Sequence, residues 1–147
     1  MAYHYTLSGL DWVWLENGVS RVETPYGKGV TIEDQDGLHE AIIRTLITLP
    51  LPIRGQELRF IRDYLDMSQK ELAAMLGVSR ETIARREAER DRSVTATMTM
   101  AIRSYLALRL DDPVLTRQVE ALVRRAEDAR LQQLHFTDHD GGWAVAA

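Results

Sequence analysis

The chain has 147 residues, no cysteine and a formal net charge of −4. That length suits one compact domain or two very small ones, and the missing thiols exclude disulfides and thiolate zinc sites. The absence of a signal-peptide core or a membrane-length apolar run predicts a cytoplasmic protein with no membrane partner. The acidic balance argues at first against nucleic acid, but it is uneven. Residues 54–103 carry 10 basic and 8 acidic side chains, against 3 and 7 in residues 1–53 and 5 and 7 in residues 104–147. A phosphate feels charge within a Debye length of about 8–10 Å, so the middle third is where a polyanion would be drawn.

From the N-terminus, Tyr3–Thr6 reads as a short strand and Ser8-Gly9 as a turn. Trp12, Trp14 and Glu16 alternate with Val13 and Leu15, the period of a strand with one buried face. Asn17-Gly18 tolerates the positive φ angles of a type I′ turn, which predicts a hairpin with Val19–Thr24 as the returning strand. Pro25-Tyr26-Gly27 makes another turn, Gly29–Ile32 another strand, and Asp34–Gly37 a loop capping a helix over Leu38–Thr48. The expectation is an α+β protein whose residues 1–50 form a small antiparallel sheet with one helix. Leu49-Pro50-Leu51-Pro52 ends that helix, because each proline biases its predecessor away from helical angles. A helical domain is expected over 54–110, a C-terminal helix over 113–134 and a flexible tail over 135–147.

Gln56–Leu65 is the first helix of the second domain, with Leu58, Ile61 and Leu65 inward. Ser68 followed three residues later by Glu71 is a capping box, so a helix begins at Gln69. Leu72, Ala73 and Leu76 recur at helical spacing, and Gly77 stands where a left-handed residue ends a helix. Ser79 is a second N-cap residue, opening a helix at Arg80 that is expected to run to Glu89. Two helices so close cross steeply. Small Ala73 fits their contact, with Ile83 beneath it.

The pattern Ser68-Gln-x-x-Leu-Ala-x-x-Leu-Gly-Val-Ser-x-x-Thr-Ile-x-Arg-x-Glu87 resembles the Cro/XRE class of helix-turn-helix domain, found in phage repressors and in antitoxins. The N-terminal half, through Tyr3, Tyr5, Ser8-Gly9-Leu10, Val13-Trp14-Leu15, Asn17-Gly18, Thr24-Pro25-Tyr26-Gly27 and Leu38-His39, resembles MqsA-type antitoxins and regulators. Some of those carry a Cys-x-x-Cys zinc domain, from which this chain departs. The Cro/XRE resemblance implies a structural ion pair between Arg62 and Glu87 and a phosphate contact from Gln69. The family commonly has an aromatic residue before that glutamate and a glycine soon after it. Here the positions read Arg86 and Ala88-Glu89-Arg90.

A recognition helix enters the major groove by its N-terminal end. On a helix starting at Arg80, residues 80, 81, 84 and 85 share the face opposite Ile83. Arg80 and Arg85 match guanine O6 and N7 bidentately, Glu81 accepts from a cytosine amino group or holds an arginine in place, and Ala84 meets a thymine methyl. Ser79 and Thr82 are expected at phosphates, with Lys70 and Arg86 adding charge. The plainer alternative is a solvated arginine face.

Ala96–Leu110 predicts a helix with Met98, Ile102, Tyr105, Leu106 and Leu110 inward. Asp112-Pro113 supplies an N-cap and a first-position proline for the next helix. Its Leu115, Val119, Leu122 and Ala126 recur at alternating four and three. They serve either a homodimer interface, as a two-fold operator on double-stranded DNA requires, or packing on their own domain. His135 and His139 have the spacing of metal ligands on a helix, but Gly141-Gly142 opposes a helix there, and no metal or cofactor is expected. Ala144-Val145-Ala146-Ala147 resembles C-termini read by bacterial AAA+ proteases, with simple tail composition as the alternative.

These features predict an antitoxin-like transcriptional repressor binding a palindromic operator as a dimer. A second expectation is a module that neutralises a cognate toxin, or engages another partner, through the N-terminal sheet, although Trp12 and Trp14 also suit a sheet core. No Gly-rich phosphate loop or recognisable nucleophile argues for an enzyme, and His4 and His39 read as structural.

Overall fold

The computed structural model describes residues 1–123 and 133–146. The architecture is α+β, and the chain divides into two compact units, Met1–Ile42 with Leu131–Ala147, and Ile43–Arg130. The division falls inside helix α1 (Gln35–Thr48).

The first unit is built on a four-stranded sheet of order β1 (Tyr3–His4), β2 (Val13–Leu15), β5 (Leu134–His139) and β6 (Gly142–Val145). β2 pairs antiparallel with β1 and parallel with β5, and β5 pairs antiparallel with β6. The sheet is therefore mixed, not antiparallel as the N-terminal strands alone predict. Alternation in β2 buries Val13 and Leu15 while Trp14 stays half-exposed on the other face. Phe136 on β5 is fully buried, its ring tilted against Trp12 at 6.5 Å. Trp12 itself is buried.

Two expectations are corrected here. Asn17-Gly18 does not close a hairpin between β2 and β3 (Val19–Thr24), because β5 holds the place beside β2. Gly18 does take a positive φ of 77°, and Trp143 packs where a Cβ would stand, 2.5 Å from two ring atoms. The Asn17 amide donates to Asp138 O at 3.2 Å and accepts from Asp138 N at 2.8 Å. β3 pairs instead with β4 (Gly27–Ile32) in a separate two-stranded sheet, turned at Pro25-Tyr26. The second correction concerns residues 135–147, which are not a flexible tail over their described part. β5 and β6 form a hairpin whose two-residue turn is Asp140-Gly141, Gly141 having φ +100°, and which buries Phe136 and Trp143.

In the second unit, α2 (Gly55–Tyr64), α3 (Gln69–Leu76), α4 (Arg80–Ala88), α5 (Ala96–Leu110) and α6 (Pro113–Val123) follow the C-terminal part of α1. Its core includes Ile43, Ile47, Leu58, Ile61, Leu72, Ile83, Ile102 and Leu106. α2 begins where α4 ends. Gly55 N and Gln56 N donate to Arg92 O and Arg90 O, and a Cβ on Gly55 would lie 2.1 Å from Arg86 O and 2.6 Å from Glu89 O.

The inward face of α5 differs from the expected one. Met98, Ile102 and Leu106 are buried as expected, but Thr99, Arg103 and Ala107 complete the face, and Tyr105 and Leu110 are half-exposed. Arg103 is 8% exposed. Its guanidinium donates to Leu46 O at 3.0 Å, Leu49 O at 2.6 Å and Leu51 O. These are carbonyls at the end of α1 and in the Pro-rich stretch after it, at the negative end of the helix dipole. Burial pulls the guanidinium pKa down to about 10, which leaves it charged at neutral pH.

α6 starts as the Asp112-Pro113 pair predicts, with Asp112 Oδ1 accepting from Val114 N at 2.9 Å. Leu115 and Val119 are buried within the chain itself and α6 packs on α5, so these two residues face their own unit and are not open to a second copy. The side chain of Leu122 and all of Ala126 lie outside the described residues. Among the described residues, no helix is long and apolar enough to cross a membrane.

Candidate nucleic-acid interface

α3, its turn and α4 are fixed by local chemistry. The Ser68 hydroxyl accepts from Glu71 N at 3.0 Å, and the Glu71 carboxylate accepts from Ser68 N at 3.1 Å. The second bond favours the charged form and holds the Glu71 carboxyl below its ordinary pKa. Gly77 ends α3 in the left-handed region at φ 70°, ψ 30°, and Val78 N donates to Ala73 O at 3.0 Å. The Ser79 hydroxyl then caps α4 by accepting from Thr82 N at 3.1 Å. Ala73 and Ile83 are buried where the two helices meet.

α4 is held against α2 by the two residues that the sequence pairs. Arg62 Nε and Nη2 donate to the two Glu87 carboxylate oxygens at 2.7 and 3.0 Å, and Arg62 Nη1 donates to Met67 O at 3.0 Å. Glu87 is 8% exposed. The hydrogen bond to Glu87, together with its charge, raises the Arg62 pKa against the opposing effect of burial. The pair thus fixes which side of α4 faces inward, and Ile83 lies on that same side.

The opposite side carries the expected reading residues. Arg80, Glu81 and Arg85 are exposed and Ala84 is half-exposed. Among the expected phosphate residues, Lys70 and Ser79 are exposed, Thr82 and Arg86 half-exposed, and the Ser79 and Thr82 hydroxyls lie 2.9 Å apart. Arg86 Nε is buried and has no hydrogen-bond partner among the described residues. Gln69 is engaged differently from a free phosphate ligand. Its Nε2 donates to Glu87 Oε1 at 3.3 Å, and its Oε1 accepts from Arg80 Nη1 at 3.0 Å. Arg62, Glu87, Gln69 and Arg80 therefore form one connected chain from the interior to the exposed face. Nothing in the sequence signals the Gln69–Arg80 link, since the two residues lie on different helices.

Residues 58–112 match the family model HTH_3, described as helix-turn-helix. They form a Cro/XRE-type helix-turn-helix domain. The match runs from within α2 to the start of α6 and so spans the capped helices, the Arg62–Glu87 pair and the exposed arginines. A helix-turn-helix domain supports a DNA-binding regulator of transcription. Neither the curated proteins nor the solved structures gave a match.

The histidines lie in the first unit, away from the helix-turn-helix residues in sequence. His39 Nε2 lies 3.0 Å from the Tyr5 hydroxyl, which accepts from Gln35 Nε2 at 2.7 Å. Burial lowers the His39 pKa, opposed by Asp36, and raises that of Tyr5. His4 stacks on Trp14 at 4.2 Å, and His135 approaches the same indole at 6.1 Å. His135 and His139 stand on strand β5, so helical spacing does not relate them. His135 Nδ1 bonds to Glu16 Oε1, and His139 Nε2 lies 2.9 Å from Thr137 Oγ1.

Proposed function

We propose that this chain is an autoregulatory repressor that binds a palindromic operator as a homodimer, reading bases with Arg80, Glu81, Ala84 and Arg85. The observation that carries the reading is the exposure of both arginines on the first two turns of α4, while Ile83 and Glu87 hold the other side of the helix inward. Arg85 and Arg80 are assigned to guanines, whose O6 and N7 fit the guanidinium fork. Lys70, Ser79, Thr82 and Arg86 are assigned to phosphates, which position the domain without carrying sequence information. Gln69 reaches the backbone of the DNA while steadying Arg80. Half-sites are expected about 34–36 Å apart, one turn of the duplex.

Fluorescence anisotropy against duplex from immediately upstream of the gene, beside a scrambled duplex at two salt concentrations, tests this. Binding to the native duplex alone that survives the higher salt supports operator reading. Equal, salt-sensitive binding to both duplexes reduces the site to phosphate attraction. Arg85→Ala is expected to weaken specific binding by about 1–3 kcal/mol and to relax base preference. Full affinity with unchanged preference removes Arg85 from the reading set.

We further propose that the repressor is antitoxin-like, a reading that rests on the first unit. Hairpin β3–β4 is largely exposed, with Tyr26 at its turn and Val22 open to solvent, and an isolated two-stranded sheet is of marginal stability in water. A cognate toxin covering it would complete that sheet. Copurification of the product of a small neighbouring gene, lost on deleting residues 19–32, is the expected result.

A further inference from the structure

We propose that the first unit binds a small organic monoanion, a carboxylate on an apolar body, in a pocket lined by β1 and the β3–β4 ribbon. The two stretches of this unit, Met1–Ile42 and Leu131–Ala147, hold seven and two Asp or Glu residues, nine together, but only two of Lys or Arg, which are Arg21 and Lys28. Both line one pocket of about 460 Å³, together with Tyr3 and Glu23. Val22, Gly29 and Val30 complete its wall. The volume falls within the roughly 300–1,000 Å³ of small-molecule sites, which combine an apolar lining with a few polar groups. The pocket uses the hairpin that the antitoxin reading gives to a toxin, but the inference needs neither that reading nor the operator.

Strand register brings the two cations together. Arg21 opposes Val30 and Glu23 opposes Lys28, so all four side chains leave the same side of the ribbon. Arg21 and Lys28 are then diagonal neighbours, about 7–8 Å apart and within mutual reach of long side chains. Neither has an ion pair or side-chain hydrogen bond among the described residues, although Glu23 stands directly opposite one and two residues from the other. Two adjacent cations repel each other unless an anion lies between them. With nine acids in the unit, the fold still leaves that place open. The guanidinium of Arg21 offers a planar fork that matches a carboxylate, and the ammonium of Lys28 a point charge from the second side. Glu23 reduces the rim to one net positive charge, which sets the ligand at one negative charge. The Tyr3 ring, Val22, Val30 and the bare backbone of Gly29 receive the apolar body.

Titration of the isotope-labelled full chain with phenylacetate and with octanoate, followed by NMR, tests the proposal. Saturable shifts are expected at the backbone amides of Val22, Gly29 and Val30. Phenylacetamide, the neutral isostere of phenylacetate, should bind about tenfold or more weakly because it forfeits the charge-assisted bonds. Inorganic phosphate should also bind more weakly, since it has no apolar body to bury. Arg21→Gln and Lys28→Gln should each weaken phenylacetate about tenfold, and Glu23→Gln should tighten it. Circular-dichroism spectra should be unchanged in all three variants, because the three side chains are exposed. No saturable shift with either carboxylate, shifts confined to other residues, or phenylacetamide or phosphate binding as tightly as phenylacetate would overturn the site. Unchanged affinity in Arg21→Gln would do the same. Glu23→Gln removes a repulsion and no contact, so an affinity that fails to rise there counts against the assignment even if the other variants lose the hairpin. Binding to upstream DNA and copurification of a neighbouring gene product are measured without these ligands, so failure of those readings and failure of this one are separable.

Discussion

Replacing Glu87 by Gln removes one charge and almost no volume, so its cost isolates the Arg62–Glu87 pair. The carboxylate accepts two bonds from Arg62 and one from Gln69. A glutamine oxygen can keep one of the Arg62 bonds, but the amide NH2 then faces the other guanidinium N–H as donor against donor. Breaking a buried pair from one side costs about 3–5 kcal/mol. Arg62 keeps Met67 O and has Asp63 at 3.6 Å, with 15% of its side chain exposed, so the lower end, about 3 kcal/mol, is expected. Arg62→Met should cost a similar amount by leaving the Glu87 carboxylate buried and unpaired. Arg62→Met with Glu87→Leu leaves no stranded charge and should cost far less than the two single changes together, as buried pairs replaced by apolar residues often do. Urea denaturation followed by circular dichroism gives all three values. Additive single effects, or single effects each below about 1 kcal/mol, the range of exposed ion pairs, would refute the argument that this pair is a buried, coupled unit.

Gly55→Ala forces a methyl against the carbonyls of Arg86 and Glu89 at the junction of α2 and α4, and a loss of about 3 kcal/mol, the upper end for overpacking, is expected in the same urea assay. Arg103→Met strips the donor from three carbonyls at the end of α1 and should lower stability by about 3 kcal/mol, with Arg103→Lys recovering only part because an ammonium lacks the planar fork. Since burial lowers the His39 pKa, the unfolded chain protonates His39 near pH 6.5 while the folded one resists. The folded state therefore binds fewer protons in the window below pH 6.5, and stability falls as pH drops through it. The urea midpoint should decline more steeply from pH 7.5 to 5.5 in the wild type than in His39→Gln, and parallel declines would remove His39 as the cause.

The helix-turn-helix was legible because its signals are short-range. Ser68 with Glu71, Gly77 and Ser79 each act on backbone within four residues, and the structure uses each of them. The sheet was not legible, because a local signal specifies a conformation and not a partner. Gly18 takes the positive φ that Asn17-Gly18 implies, yet β2 finds its neighbour at residues 134–136, with nearly the whole chain between them. Asp140-Gly141, inside a segment that reads as a flexible tail, does close a hairpin, because its two strands are neighbours in sequence. Arg103 and Gln69 show a second limit. A charged or amide side chain on a helix gives no sequence mark of whether it faces water or the carbonyls and guanidinium of another element, so their interior partners emerge only from the three-dimensional arrangement.

The parallel pairing of β2 with β5 makes synthesis order and completion order run opposite ways. β2 emerges about 120 residues before its neighbour, which at roughly 5–20 residues per second is on the order of 6–24 s. During that interval β2 has an open edge and its buried face lacks Phe136. Every element of the second unit is made meanwhile, from contacts closer in sequence, which form faster than distant ones. A nascent chain can thus own a finished helix-turn-helix while its first unit is still waiting for β5, and a stop codon between α6 and β5 would strand it in that condition, capable of meeting DNA yet without the completed sheet of its first unit.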